Sequence, residues 1–290
     1  MRENSIDATV ACQRFEPAQF FLNDVENLIW FENFQELSNI IERFDILVLD
    51  LFDYSKISID IENFSKVIVL DNFSKTVFSK NVISMNSLNI IGDETFSYRE
   101  RVAAARNLII EPKFKTNFRL RVGRPKSGLV FFGGTDNHNL TDLFIEKIND
   151  LELGNFTFNV LVGPGSDFQC PVNSKKITLH QNLSNEDLQK LFFTCDVAIL
   201  SGGLTTFEAI LQGLPVFIIS GEPFECENGK FIEKLGVGKW LGHREVDEFA
   251  LQYGLSGSIS QVCKLKAAKK ARANIGQGLH NLLSLIGEFC

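Results

Sequence analysis

Two segments in the second half of the chain could hold phosphate. FGGTDNHNLT at 132–141 and SGGLTTFEAI at 201–210 each join an apolar run to a pair of glycines and then to a polar helix start. Glycine lets the backbone approach a ligand closely. The first N–H groups of a helix have no partner in the helix and attract an anion. In the first segment Gly133, Gly134, Thr135, Asn137 and His138 are candidate contacts, and in the second Gly202, Gly203, Thr205 and Thr206. A purely structural turn, with Asn137 or Asn139 capping the helix, accounts equally for the first segment. Thr205 and Glu208 have the spacing of a capping box. Alternatively, Glu208 accepts hydrogen bonds from both ribose hydroxyls and disfavours a phosphate there. VGPGSD at 162–167 adds a third turn with Gly163.

Neither glycine segment is a GxGxxG fingerprint or a Walker loop, which argues against an NAD-type or ATP-type site. His138, His180, His243 and His280 have no metal-ligand spacing, so neither a metal nor another cofactor is expected. His138, inside the first glycine segment, is the histidine of interest. Asp50, Asp53 and Asp71 end or follow apolar runs of the first half, where α/β enzymes place functional groups and where turns also favour Asp. No catalytic residue is assignable from these patterns.

These residues need strand–turn–helix units to position them. The chain alternates short apolar runs with helical stretches, the pattern of a mostly parallel sheet. Strands are expected at ATVAC, DILVLD, KVIVLD and NVISM in the first half. In the second half they are expected at GLVFF, FTFNVLV, KKITLH, DVAIL and LPVFIIS. Helices are expected at about 34–43, 140–151 and 186–195, through TTFEAILQ up to Gly213, through NGKFIEKL, and over the tail at 264–288. The length, 290 residues, suits about two domains. The expected division is an N-terminal Rossmann-like lobe at 1–112, a basic, proline-bearing linker at 113–127 and a C-terminal lobe at 128–290 that carries the glycine segments and includes the C-terminal helix.

Composition excludes several classes. Hydrophobic residues are 44% and charged residues 22%, ordinary for a globular protein. A net charge of −7 argues against broad nucleic-acid binding, which needs a basic face. No apolar run approaches the ~20 residues of a membrane span. The six cysteines, Cys12, Cys170, Cys195, Cys226, Cys263 and Cys290, lack zinc or redox spacing, and the expected location is the cytoplasm.

FFGGTDNHNLT, CDVAILSGGLTTFEAILQGLP and ENGKFIEKLG together resemble the C-terminal lobe of GT-B-fold proteins. The nearest resemblance is to the UDP-sugar hydrolase of pseudaminic acid synthesis and related spore-coat polysaccharide proteins. A more distant one is to the transferase that adds N-acetylglucosamine to lipid-linked peptidoglycan precursor. The resemblance covers roughly residue 45 to the C-terminus, and VLDLFDYS and VIVLDN match the family's Asp-ended strands. It implies an α/β, GT-B-like fold of two Rossmann-like lobes with parallel sheets and a UDP-sugar as ligand. It implies that Gly133, Gly134 and Thr135 face the diphosphate and that Gly202, Gly203, Thr205 and Thr206 line the nucleotide site. It also implies that Glu208 takes the ribose and that Asn228 lies near the sugar.

The chain departs from that family in three places. Gly229 stands where the family has Gln. Leu51 and Phe52 follow Asp50 where the family has His and Tyr. The family's first strand, with its histidine-bearing glycine loop, has no counterpart before ATVAC, so the N-terminal lobe is expected to lack that strand and helix. Three functions follow from the resemblance: a UDP-sugar hydrolase of surface-sugar synthesis, a GT-B glycosyltransferase, or a catalytically depleted UDP-sugar-binding protein.

Overall fold

The computed structural model describes residues 8–13, 22, 26–41, 44–50, 66–72, 77–78, 82–88, 97–148, 151–168 and 175–289. Leu51, Phe52, Asp53, Cys170 and Cys290 lie outside the described residues. The chain divides into two compact units between Met85 and Asn86.

In the first unit β1 (Val10–Gln13) pairs in parallel with β2 (Leu28–Phe31). The helix α1 (Phe34–Ile41) follows. Asn33 Oδ1 accepts from the Gln35 and Glu36 amides, and the Glu36 carboxylate accepts from the Glu32 amide, so the helix start is closed by its own side chains. A separate parallel sheet holds β3 (Leu47–Asp50), β4 (Val67–Leu70) and β5 (Val82–Met85) in that order. Along β3, Leu47 and Leu49 turn inward while Val48 and Asp50 are exposed, the period of a half-buried strand. Phe31, Leu37, Ile41, Leu47, Leu49, Val67 and Val69 form this unit's core.

The second unit opens with α2 (Tyr98–Ala104), started by a reciprocal Ser97–Glu100 capping box. Short 3-10 turns follow at Ala105–Asn107 and Pro112–Lys115. Residues 113–127, the segment expected to link two lobes, fall inside this unit, with Phe114 and Arg121 buried. Alternation then sets in: β6 (Ser127–Phe131), α3 (Leu140–Ile148), β7 (Thr157–Val162), β8 (Ile177–Gln181), α4 (Asn185–Thr194), β9 (Val197–Leu200) and α5 (Leu204–Leu211). It continues through β10 (Val216–Ser220), α6 (Pro223–Leu235), β11 (Gly238–His243), α7 (Glu248–Ser256), α8 (Leu265–Asn274) and α9 (Gly278–Phe289).

All six strands are parallel, in the order β11-β10-β9-β6-β7-β8. Sequence order therefore runs outward in one direction from β6 and in the other from β9, the doubly wound Rossmann arrangement. The loops at the carboxyl ends of β6 and β9 part at this switch point and leave a crevice. Strands β9 and β10 are buried at every residue because helices cover both faces. The abundant phenylalanine serves this core: Phe144, Phe158, Phe192, Phe207 and Phe217 are fully buried. The edge strand β11 is poorly marked in sequence, because GKWLGH contains two glycines. A Cβ on Gly238 would lie 2.5 Å from Val216 Cγ2, so glycine is required there for the two strands to pair closely.

Candidate functional site

A cavity of about 220 Å³ opens at the switch point. The loop after β6 contributes Gly133, Thr135, Asp136, Asn137 and His138 to its lining. The β9–α5 turn contributes Ser201, Gly203, Leu204, Thr205 and Thr206, and the β10–α6 turn contributes Gly221, Glu222 and Glu225. The two glycine segments of the sequence thus meet at one cavity, with a third turn that the glycine pattern did not reveal.

Three helices begin at this cavity, and their N-termini differ. At α3, Asp136 adopts a positive φ of 41° and its two carboxylate oxygens accept from the Leu140 and Thr141 amides at 2.9 Å each. Asp136, rather than Asn137 or Asn139, is the capping side chain. At α6, Glu222 and Glu225 form a capping box behind Pro223. Glu225 Oε2 also accepts from the Gly221 amide at 2.8 Å. At α5 the N-cap is Gly203, with no side-chain hydrogen bond to close the helix. The helix begins at Leu204, so Thr205 already lies inside it and the Thr205–Glu208 capping box does not form. Two of the three positive helix ends are therefore neutralised by the chain's own carboxylates, and the end of α5 is open.

The turn at α5 is rigid. Gly202 has φ +108°, and its amide donates to Thr206 Oγ1 at 3.2 Å. Its carbonyl accepts from Asn228 Nδ2 at 2.9 Å, and Asn228 on α6 is completely buried. A Cβ at Gly202 would come 2.9 Å from the Glu225 carbonyl, so α6 packs directly on this turn. Gly202 and Asn228 thus support the turn from behind and do not line the cavity. Gly163 and Gly134 do the same for the first segment. The Gly165 amide donates to the Gly134 carbonyl at 2.8 Å, and a Cβ on Gly163 would lie 2.3 Å from that oxygen.

Glu208 sits on α5 outside the cavity lining. Burial, and next the charge of Glu111, push its carboxyl up to about 7, with Lys113 acting in the opposite sense. Gly229 packs beneath Trp240, where a Cβ would lie 2.5 Å from the indole Cδ1, and the Trp240 Nε1–H donates to Ser220 Oγ at 3.1 Å. The indole occupies the space that a larger side chain at 229 would need.

At the rim, His138 Nε2 lies 2.8 Å from Glu222 Oε1 and 3.1 Å from an Arg244 terminal nitrogen. Asp136, Glu222, Glu225 and Arg244 were not singled out in the sequence. The first three carried a readable signal: a carboxylate at or beside a turn immediately before a helix, with Pro223 marking the start of α6. Among the described residues, no group of three or more His, Cys, Asp or Glu side chains could hold a metal ion. No described helix is long and apolar enough to cross a membrane.

No family model matches the chain. An uncharacterized protein of Methanocaldococcus jannaschii is 29% identical over 132 residues, which are 43% of this chain and 27% of that protein. The chain therefore spans about a quarter of the curated relative it matches. Among solved structures, Arabidopsis thaliana UGT89C1 complexed with UDP superposes with a TM-score of 0.59 at 12% identity, over 97% of this chain and 92% of that one. The spinosyn rhamnosyltransferase SpnG complexed with thymidine diphosphate gives 0.51 at 13% identity, over 92% and 79%. The kitacinnamycin glycosyltransferase, with a TM-score of 0.47 at 14% identity, is covered over only 64% of its length. The structural neighbours are GT-B glycosyltransferases, and the chain has a GT-B glycosyltransferase-like, mixed α/β fold with parallel sheets.

Proposed function

We propose that the second unit binds a nucleoside diphosphate sugar and that the protein serves glycosyl transfer. The observation that carries this reading is the open N-terminus of α5 at a switch-point cavity whose other two helix ends are capped by carboxylates. An anion gains most at the uncapped end, where no side-chain oxygen closes the helix. Gly203 lets a diphosphate approach the backbone, and the Thr205 and Thr206 hydroxyls add donors.

UDP and thymidine diphosphate in the two superposed neighbours support a pyrimidine nucleotide. Glu208 is proposed as the ribose acceptor and Asn228 as the residue holding the sugar side of the turn, both from the motif resemblance. In a transfer, an acceptor hydroxyl attacks the anomeric carbon and gives up its proton to solvent, the bond from that carbon to the phosphate oxygen breaks, and the nucleoside diphosphate leaves with the negative charge. The α5 N-terminus would stabilise that charge. With water as acceptor the same site would serve the hydrolase that the sequence resembles.

Calorimetric titration of the full chain with UDP, ATP and NAD tests the reading. UDP is expected to bind most tightly. Tighter binding of NAD or ATP would overturn it.

A further inference from the structure

We propose that Arg244 is the residue that recognises the second phosphoryl group of the ligand, the one farther from the ribose; this rests on the nucleotide reading above. Arg244 follows β11, outside both glycine segments, and four features support the assignment.

The first is its position. Arg244 has a positive φ of 54°, and its backbone amide donates to the Ser220 carbonyl at 2.8 Å. Its Nε donates to the Gly221 carbonyl at 2.9 Å. A non-glycine residue with positive φ is uncommon, and here the main chain is locked to the end of β10. The guanidinium is thereby fixed beside Gly221 and His138, both of which line the cavity.

The second is charge. Among the described residues no carboxylate lies within ion-pair distance of Arg244, and the residue is exposed. Its hydrogen bonds go to a carbonyl and a ring nitrogen, so its positive charge has no counter-charge of its own. The cavity wall beside it carries Asp136, Glu222 and Glu225. A polyanion entering next to three carboxylates needs a cation, and an arginine fork suits phosphate oxygens.

The third is the chemistry of His138 Nε2. A single ring nitrogen either donates or accepts. When it carries hydrogen it can donate to Glu222 Oε1, 2.8 Å away, and cannot accept from Arg244. When it lacks hydrogen it can accept from Arg244, 3.1 Å away, and faces the Glu222 oxygen without a proton between them. The two contacts are therefore exclusive. A phosphoryl oxygen that takes the Arg244 N–H leaves His138 free to donate to Glu222, so both acceptors, the phosphoryl oxygen and the Glu222 carboxylate, and both donors are then satisfied.

The fourth is orientation. The proposed ribose acceptor, Glu208, belongs to α5, which follows the central strand β9, while Arg244 follows the edge strand β11, two strands away. A diphosphate with its first group at the α5 N-terminus would extend toward Arg244 with its distal group.

The test compares UDP with UMP, which lacks that group, by calorimetry on the full chain with wild type, Arg244→Ala and Arg244→Lys. Arg244→Ala is expected to weaken UDP about tenfold or more while changing UMP less than about twofold. Arg244→Lys is expected to recover part of the UDP affinity, as a point charge without the fork. Unchanged UMP binding also reports an intact site. If wild type prefers UDP and Arg244→Ala keeps the same preference, the role of Arg244 is overturned and the nucleotide reading stands. If UDP and UMP weaken equally, Arg244 supports the fold of the turn and not the distal group. If wild type binds neither nucleotide, the nucleotide reading fails and this assignment with it.

Discussion

Glu208 shows how one residue can answer to both fold and ligand. Its carboxyl titrates at about 7 in the fold, against an ordinary value of 4.5. The folded state thus prefers the protonated form. Its contribution to stability is complete below about pH 4.5 and is lost as pH rises through 7. Glu208→Gln keeps the neutral shape at all pH values. Chemical denaturation should show the variant equal to wild type at pH 4 and more stable by on the order of 1–3 kcal/mol at pH 8. Equal stability at both pH values would mean that Glu208 is solvated in the folded chain. The sequence marked Glu208 by its spacing from Thr205 but could not show that the helix starts at Leu204, which leaves that capping box unformed. Nor could it show that Gly229, where the family has Gln, lies under Trp240, because that contact joins α6 to an edge strand.

At the scale of elements, Arg121 ties two helix ends together. It is 4% exposed. Its Nε donates to the Cys195 carbonyl at 3.2 Å. One terminal nitrogen donates to the Arg119 and Gln212 carbonyls at 2.7 and 2.6 Å, the other to those of Phe192 and Phe193. These carbonyls close the C-terminal ends of α4 and α5, where unpaired oxygens gather and a cation is favoured. Burial, and next Arg119, lower the guanidinium to about 10, so it stays charged at neutral pH. Arg121→Met should leave several buried carbonyls without donors and cost about 3 kcal/mol or more in thermal or denaturant unfolding. A loss below about 1 kcal/mol would show that water replaces the guanidinium at little cost. The strands that feed the cavity were legible because VAIL and VFII are continuous apolar runs, as strands covered on both faces must be. The strand β11 was hidden by glycines that close pairing requires, and with it Arg244. The caps Asp136 and Glu222 carried only the general signal of a carboxylate beside a helix start, which looks the same whether it faces solvent or the helix end.

For the whole molecule, the two units differ in what they bury. The core of the second unit runs through six strands and the helices on both faces, with Val197, Ala198, Ile199 and Leu200 each at 1% exposure or less. Among the described residues the first unit's core cluster is smaller, with Leu47 and Leu49 still 8% and 6% exposed, and Val48 is 37% exposed. Amide exchange should therefore be slower around residues 198–200 than around 47–49, by about two orders of magnitude or more. Equal, deep protection in both would mean that the first unit is as stable as the second. The central claim is that the open end of α5 holds the diphosphate. Gly203 has φ −77° and ψ −163°, a conformation open to any residue and typical of a capping position, and a Cβ there meets no atom closer than 3.5 Å. Gly203→Asp would supply α5 with the kind of carboxylate cap that α3 and α6 already have. UDP affinity measured by calorimetry should then fall about tenfold or more, with the Glu225 carboxylate, 3.5 Å from a Cβ at 203, adding to the repulsion. Undiminished UDP binding to a folded Gly203→Asp protein would contradict the claim.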